Sequence, residues 1–234
     1  MSALLYSIAK TATETEMSGV DDQPVRSIDM SGLCVYYSEL DEKVLNPKAI
    51  NPEDHPALIF QEVISSIHQQ GPSLPIQFGL LLDSTEEIQR LVEANLTEIR
   101  KELNRIGHTY EYSFHFHKQA STAQGVPESL TKADSPGAQY LLKKYQETKK
   151  STQLGADMDK LSSNIERLTS EYLIEIRKSN QAETIRLDLR LTIGQLDKKS
   201  LSAVLTKDFP DYRIYIFGPY PPSHFVKLRL KTPH

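Results

Sequence analysis

The sequence predicts an α+β protein of two domains: a small N-terminal α+β domain, then a larger one ordered βαββαβ with a long helical insertion. Three patterns carry that prediction. Tyr110, Tyr112, Phe114 and Phe116 alternate with polar residues, as do Ile185, Leu187, Leu189, Leu191 and Ile193, which is the period of half-buried strands. Between Ser84 and Gly107, Ile88, Leu91, Val92, Leu96, Ile99, Leu103 and Ile106 recur at helical spacing. Leu154, Met158, Leu161, Ile165, Leu168, Tyr172 and Ile176 follow a spacing of threes and fours, the seam of a long helix packed on another.

The first domain is expected to span residues 1–71. Residues 4–9 read as a strand and residues 11–23 as a flexible polar loop. Residues 25–28 and 33–40 read as two further strands around a turn at Ser31-Gly32. A loop holding Pro47, Pro52 and Pro56 leads into a helix over about 55–69. Its apolar residues Leu58, Ile59, Val63, Ile64 and Ile67 fall on one face, and Gly71-Pro72 ends it.

The second domain, 72–234, opens with an apolar run over 74–82 that reads as a buried strand. Ser84-Thr85-Glu86-Glu87 is a capping box that starts the next helix, and Gly107 closes it. A strand over 110–116 follows, then the insertion at about 136–180. There the seam helix is expected to fold back on 139–149, with Leu141, Leu142 and Tyr145, through a bend at 153–155. A strand at 185–193, a helix at 197–207 and a strand at 212–217 complete a ferredoxin-like order, the insertion replacing its central hairpin turn.

Charge and composition narrow the function. Lys and Arg number 27 against 31 Asp and Glu, a net charge of −4, which offers no electrostatic footprint for nucleic acid. The single cysteine, Cys34, excludes a disulfide framework and reads as a small buried hydrophobe. The first ten residues show no basic n-region, and the longest stretch without acidic residues, Lys or Arg, 63–82, is broken by Gly71, Pro72 and Pro75. Neither a signal peptide nor a membrane span is read, and the chain is expected to be soluble and intracellular.

No glycine-rich phosphate loop, HExxH or nucleophile elbow is present, so no catalytic residue and no cofactor are expected. His115 and His117 share a strand face and could form half a metal site, but the sequence marks no further ligand, and no metal is expected. A second reading is a ferredoxin-like module binding RNA or a small ligand. Against it, the four aromatics of 110–116 are more simply core.

The segment Gly218-Pro219-Tyr220-Pro221-Pro222-Ser223-His224-Phe225-Val226 is the most distinctive of the chain, a stiff connection directly after a strand. It resembles the Gly-Pro-Trp-Pro-Pro-Tyr-Ser-Phe-Val pattern of the GvpF/GvpL family of gas vesicle proteins, with Tyr220 in place of Trp. Four other stretches resemble family patterns in the same order. Leu4-Leu5-Tyr6-Ser7-Ile8 matches the opening strand, and Leu74-Pro75-Ile76-Gln77-Phe78-Gly79 matches Leu-Pro-Val-Arg-Phe-Gly with Gln77 for Arg. Gly107 with Glu111-Tyr112 matches Gly-x-x-Glu-Trp, and Gly137 with Tyr140-Leu141 matches Gly-x-x-Tyr-Leu.

The resemblance covers nearly the whole chain, and the compact length favours the F type. It implies a non-enzymatic minor shell component or assembly factor that binds the major shell protein GvpA, and other gas vesicle proteins, in building the vesicles that give buoyancy. It places the chain at the gas vesicle or in the cytoplasm, and the ordinary charge balance suits a cyanobacterium. Within the motif, Gly218, Pro219, Tyr220, Pro221, Pro222 and Phe225 are expected to be structural, holding aromatic rings against the body. No partner-binding surface is assigned.

Overall fold

The computed structural model describes residues 2–11, 16–45, 55–119, 136–181 and 184–231. They form two compact units. The first comprises 1–111, 192–194 and 219–234; the second comprises 112–191 and 195–218. The division therefore falls at Glu111–Tyr112, where the sequence reading divides the chain after Gly71.

The first unit is built on strands β1 (Ser2–Ala9), β2 (Arg26–Met30), β3 (Leu33–Leu40), β4 (Ser73–Pro75) and β5 (Leu81–Leu82), ordered β2-β3-β1-β4 with β5 also paired to β1. β1 and β3 run antiparallel, with a register shift between Leu5 and Ser7. Alternate residues enter two separate cores. Leu4, Tyr6, Cys34 and Tyr36 pack with Phe60, Val63, Ile64 and Ile67 of α1 (Pro56–Gln70). Ala3, Leu5, Val35 and Tyr37 pack with α2 (Thr85–Ala94), α3 (Leu96–Ile106) and Phe225. Both faces of this sheet are closed, which is why β1 and β3 read as apolar runs rather than alternations.

The local chemistry of the helix ends agrees with the sequence. Pro56 occupies the first turn of α1, and His55 caps it by accepting from the Ala57 N–H at 3.2 Å. Ser84 caps α2 by accepting from the Glu87 N–H, while the Glu87 carboxylate reaches back to the Asp83 N–H at 2.9 Å. Gly107 ends α3 with φ +60°, a conformation that costs a side chain.

Several details differ from the sequence reading. The helix expected over 84–107 breaks at Asn95, whose side-chain amide donates to the Leu91 carbonyl at 2.7 Å. The strand expected over 74–82 is two short strands around an excursion, because Pro75 lacks a donor and Gly79 takes φ +91°. The loop at 11–23 is tied in part: Val20 is fully buried, and its N–H donates to the Tyr6 hydroxyl at 3.0 Å. Pro47, Pro52 and residues 12–15 lie outside the described residues.

The second unit contains β6 (Tyr110–Lys118), α4 (Pro136–Thr169), β7 (Leu173–Gln181), β8 (Thr184–Leu191), α5 (Lys198–Asp208) and β9 (Tyr212–Tyr220). The sheet order is β7-β8-β6-β9. This is a ferredoxin-like βαββαβ unit, but it begins at β6 rather than at residue 74. The expected insertion is its first crossover helix and second strand. α4 runs unbroken through 153–155, so no helical hairpin forms, and the side chains of Leu141, Leu142 and Tyr145 lie outside the described residues.

Leu161 and Ile165 of the seam are fully buried, whereas Tyr172 is exposed beyond the end of the helix and Ile176 belongs to β7. One face of the sheet carries Tyr112, Phe114, Phe116, Ile185, Leu187, Leu189 and Leu191, all fully buried. Leu201 and Leu205 of α5 are also buried, and Asp197 caps that helix by accepting from the Ser200 N–H at 3.0 Å.

Candidate functional site

The proline-rich segment begins as β9 ends. Gly218 takes φ +109° at the exit, which favours glycine there. Pro221 and Pro222 are buried, a one-turn 3₁₀ helix spans Ser223–Phe225, and residues 226–231 continue as an irregular strap. Phe225 is 1 % exposed, within the core that also holds Val35, Leu91 and Leu103. Tyr220 is 37 % exposed and is no core residue.

Four side chains clamp the strap from within the same unit. Buried Glu111 accepts the His224 backbone N–H at 2.9 Å and also bonds the His224 imidazole. Glu102 accepts the Lys227 N–H at 2.5 Å and is itself held by Arg105 at 2.6 Å, and Arg105 also donates to the Phe225 carbonyl. The Arg105 guanidinium keeps the Glu102 carboxyl below its ordinary range. Farther on, the Asn95 amide pairs with the Lys231 backbone, donating to its carbonyl at 3.0 Å and accepting its N–H at 2.9 Å. The break between α2 and α3 thus supplies a docking point for the strap.

Between this strap, α1 and the 74–80 excursion lies a groove of about 890 Å³. Its apolar lining is Phe60 and Ile64 from α1, Ile76, Phe78 and Leu80 from the excursion, and Val226, Leu228 and Leu230 from the strap. Gln61, Gln77, His224 and Arg229 supply polar groups. Phe60 and Phe78 meet edge to face at 5.2 Å, which fixes the wall they share. The excursion is anchored by the Ile76 N–H donating to the Tyr6 carbonyl at 2.9 Å.

Four of the five sequence motifs therefore meet in the first unit. Tyr6 of the first supports the second, residues 74–79 of the second line the groove, and Glu111 of the third fastens the strap of the last. Of the expected motif residues, Phe225 is deeply buried, Pro221 and Pro222 support the strap, and Tyr220 stands apart. The groove residues of α1 and the strap residues beyond Val226 carry no pattern of their own in the sequence. The side chains of Tyr140 and Leu141 lie outside the described residues.

Several titratable groups lie outside the lining of the groove. His68 is buried and bonded at both nitrogens, to the Thr109 carbonyl at 2.7 Å and the Ser73 hydroxyl at 3.1 Å. Burial pushes its pKa down to about 4. Cys34 is 1 % exposed, and burial pushes its thiol up. His115 and His117 do share a sheet face, but their rings pack against Phe217 and Tyr215, and their nitrogens meet the hydroxyls of Ser113 and Thr184. Among the described residues no group of three or more His, Cys, Asp or Glu could hold a metal ion, and no helix is long and apolar enough to cross a membrane. Tyr112, Phe114 and Phe116 lie in the core and offer no stacking platform.

Comparison with known proteins gives one consistent answer. The family model of gas vesicle synthesis protein GvpL/GvpF matches residues 3–227. The crystal structure of GvpF from Microcystis aeruginosa is similar, with a TM-score of 0.75 at 15% identity over 97% of this chain and 99% of that one. GvpF from Anabaena sp. PCC7120 is similar with a TM-score of 0.73 at 16% identity, with the same coverage. A comparison with curated protein sequences gives no significant match.

Proposed function

The chain belongs to the GvpL/GvpF family of gas vesicle synthesis proteins, and from that premise we propose that it is a non-enzymatic minor component or assembly factor of the gas vesicle. In this reading it binds the major shell protein GvpA through the groove beneath the strap, and so serves vesicle formation and buoyancy. The observation that carries the reading is the groove: two of the motifs border one apolar channel, and a third fastens its wall. A very hydrophobic shell subunit must keep its apolar surface from water before it assembles. An apolar groove edged by Gln61, Gln77 and Arg229 offers such a surface together with a polar rim.

The test is capture of purified GvpA by this protein carrying Phe78→Glu or Leu228→Glu. Both positions are half-buried and pack against the cores, so some loss of stability is expected. Measured where each variant is still folded, binding should fall by about tenfold or more, since a carboxylate must desolvate to enter the groove. Undiminished capture by both variants would place the contact elsewhere.

A further inference from the structure

The sheet edges of the two units differ in a way that points to self-association. Among the described residues, β2 carries Arg26 and Asp29, β4 is three residues ending in Pro75, β5 has two residues, and β7 carries Glu175, Arg177 and Lys178. Each has one of the devices that keep an edge from pairing: charge, proline or brevity. β9 has none between Ile214 and Phe217. It is the terminal strand of its sheet, and that stretch is Ile-Tyr-Ile-Phe. Such devices stand only at the two ends of the strand: Arg213 at its start, and at its close Lys198 donating to the Gly218 carbonyl at 2.8 Å and Pro219 removing a donor.

Apolar surface accompanies this edge on both faces. Tyr215 and Phe217 are each 41% exposed on one face, stacked beside His117 and His115. Ile214 and Ile216 are half-buried on the other. A finished edge would show polar groups here.

We propose that β9 pairs antiparallel with β9 of a second copy of this chain, joining two four-stranded sheets across a two-fold axis at Tyr215. The strand is complementary to itself in that register. Arg213 lies opposite the partner's Phe217, which sets a guanidinium against an aromatic ring. Tyr215 meets the partner's Tyr215. On the other face Ile214 lies opposite the partner's Ile216. No like charges oppose one another, and the contact closes on itself, as a two-fold interface requires. A second copy is favoured over an unrelated strand because the one charge in residues 213–217 falls opposite a ring rather than opposite itself.

Sedimentation of the full chain tests this. The wild type should dimerise reversibly as concentration rises. Phe217→Lys sets two cations opposite each other and should weaken the dimer by about tenfold or more. Arg213→Glu combined with Phe217→Lys should restore it by placing opposite charges across the axis, with the unfolding midpoint of each variant followed as the control for folding. A wild type that stays monomeric up to about 1 mM overturns the proposal. So does a dimer indifferent to Phe217→Lys, or a double variant that fails to recover.

Discussion

In the first unit, β1 and β3 send alternate side chains into two separate cores, one closed by α1 and the other by α2, α3 and Phe225. In the second, the apolar core lies on one face of the sheet; the other buries the polar Ser113, Asp188 and Arg190 and exposes His117, Tyr215 and Phe217 towards β9. The two arrangements place stability and surface differently. A sheet closed on both sides can lose part of one core and keep the other, and its accessible apolar surface moves to the periphery, here the groove under the strap. The second sheet depends on apolar contacts on one face only, the other being polar where it is buried and exposed along β9.

The largest expected effect tests that dependence. Leu161 and Ile165 are fully buried on the one helix-covered face of the second sheet. Replacing both with Ala should cost on the order of 2–5 kcal/mol each, a large share of the roughly 5–15 kcal/mol that holds a typical domain folded. Hydrogen exchange should show β8 losing protection while β3 keeps it. Equal loss in both strands would show that the two sheets unfold as one, and the contrast between them would fail. A negligible effect would remove the seam from the core.

A smaller effect sharpens the contrast inside the first unit. Phe225→Ala empties part of one of its two cores and should cost about 3–5 kcal/mol, whereas Tyr220→Ala, at a position already 37 % exposed, should cost less than about 1 kcal/mol. Urea unfolding of the two variants side by side checks the ranking. If the proposed groove is the site, any capture of GvpA should weaken in Phe225→Ala only in step with the fraction unfolded. Binding lost at an unchanged midpoint would move the contact from the groove onto the motif itself.

Much of this contrast is written in the sequence, and the parts that are not have physical reasons. The apolar runs of β1 and β3 report two apolar cores, and the alternation of β8 reports one; Asp188 and Arg190 on its polar face are buried too, held by Ser113, Arg186 and Glu175. β7 was not legible. Tyr172 and Ile176 prolong the heptad spacing of α4, yet the helix stops at Thr169, and residues 173–181 are strand because they pair with β8 from Leu173↔Leu191 to Gln181↔Thr184. Pairing of that kind is tertiary and leaves no periodic trace. With β7 hidden, the ferredoxin order could be completed only by borrowing residues 74–106 from the first unit. The groove was hidden for a similar reason. Its walls come from three distant segments, and its fastening joins Glu111 to His224 across 113 residues. The motifs themselves were visible, but not their convergence.

The mildest test uses pH and singles out the first unit. His68 ties the end of α1 to Ser73 and Thr109, and the rings of His108 and Tyr110 face it at 5.2 and 5.4 Å. Its Nε2–H donates to the Thr109 carbonyl; while the ring is neutral, Nδ1 accepts from the Ser73 hydroxyl. Desolvation by burial lowers its folded pKa from 6.5 to about 4. Between those values the unfolded chain binds the proton and the folded chain does not. The contribution is therefore complete above about pH 6.5 and is lost as pH falls towards 4. The shift sets an upper bound of about 3 kcal/mol on the loss. Glu102, whose folded pKa is depressed, also loses stabilisation in acid, so the slope of the wild type alone is ambiguous. The difference between wild type and His68→Gln separates the two. Denaturant unfolding from pH 7 to 4 should show the wild type losing up to about 3 kcal/mol more than the variant. Parallel curves would mean that the imidazole accepts a proton without breaking its bonds, and that this corner of the first unit is less tightly closed than its cores.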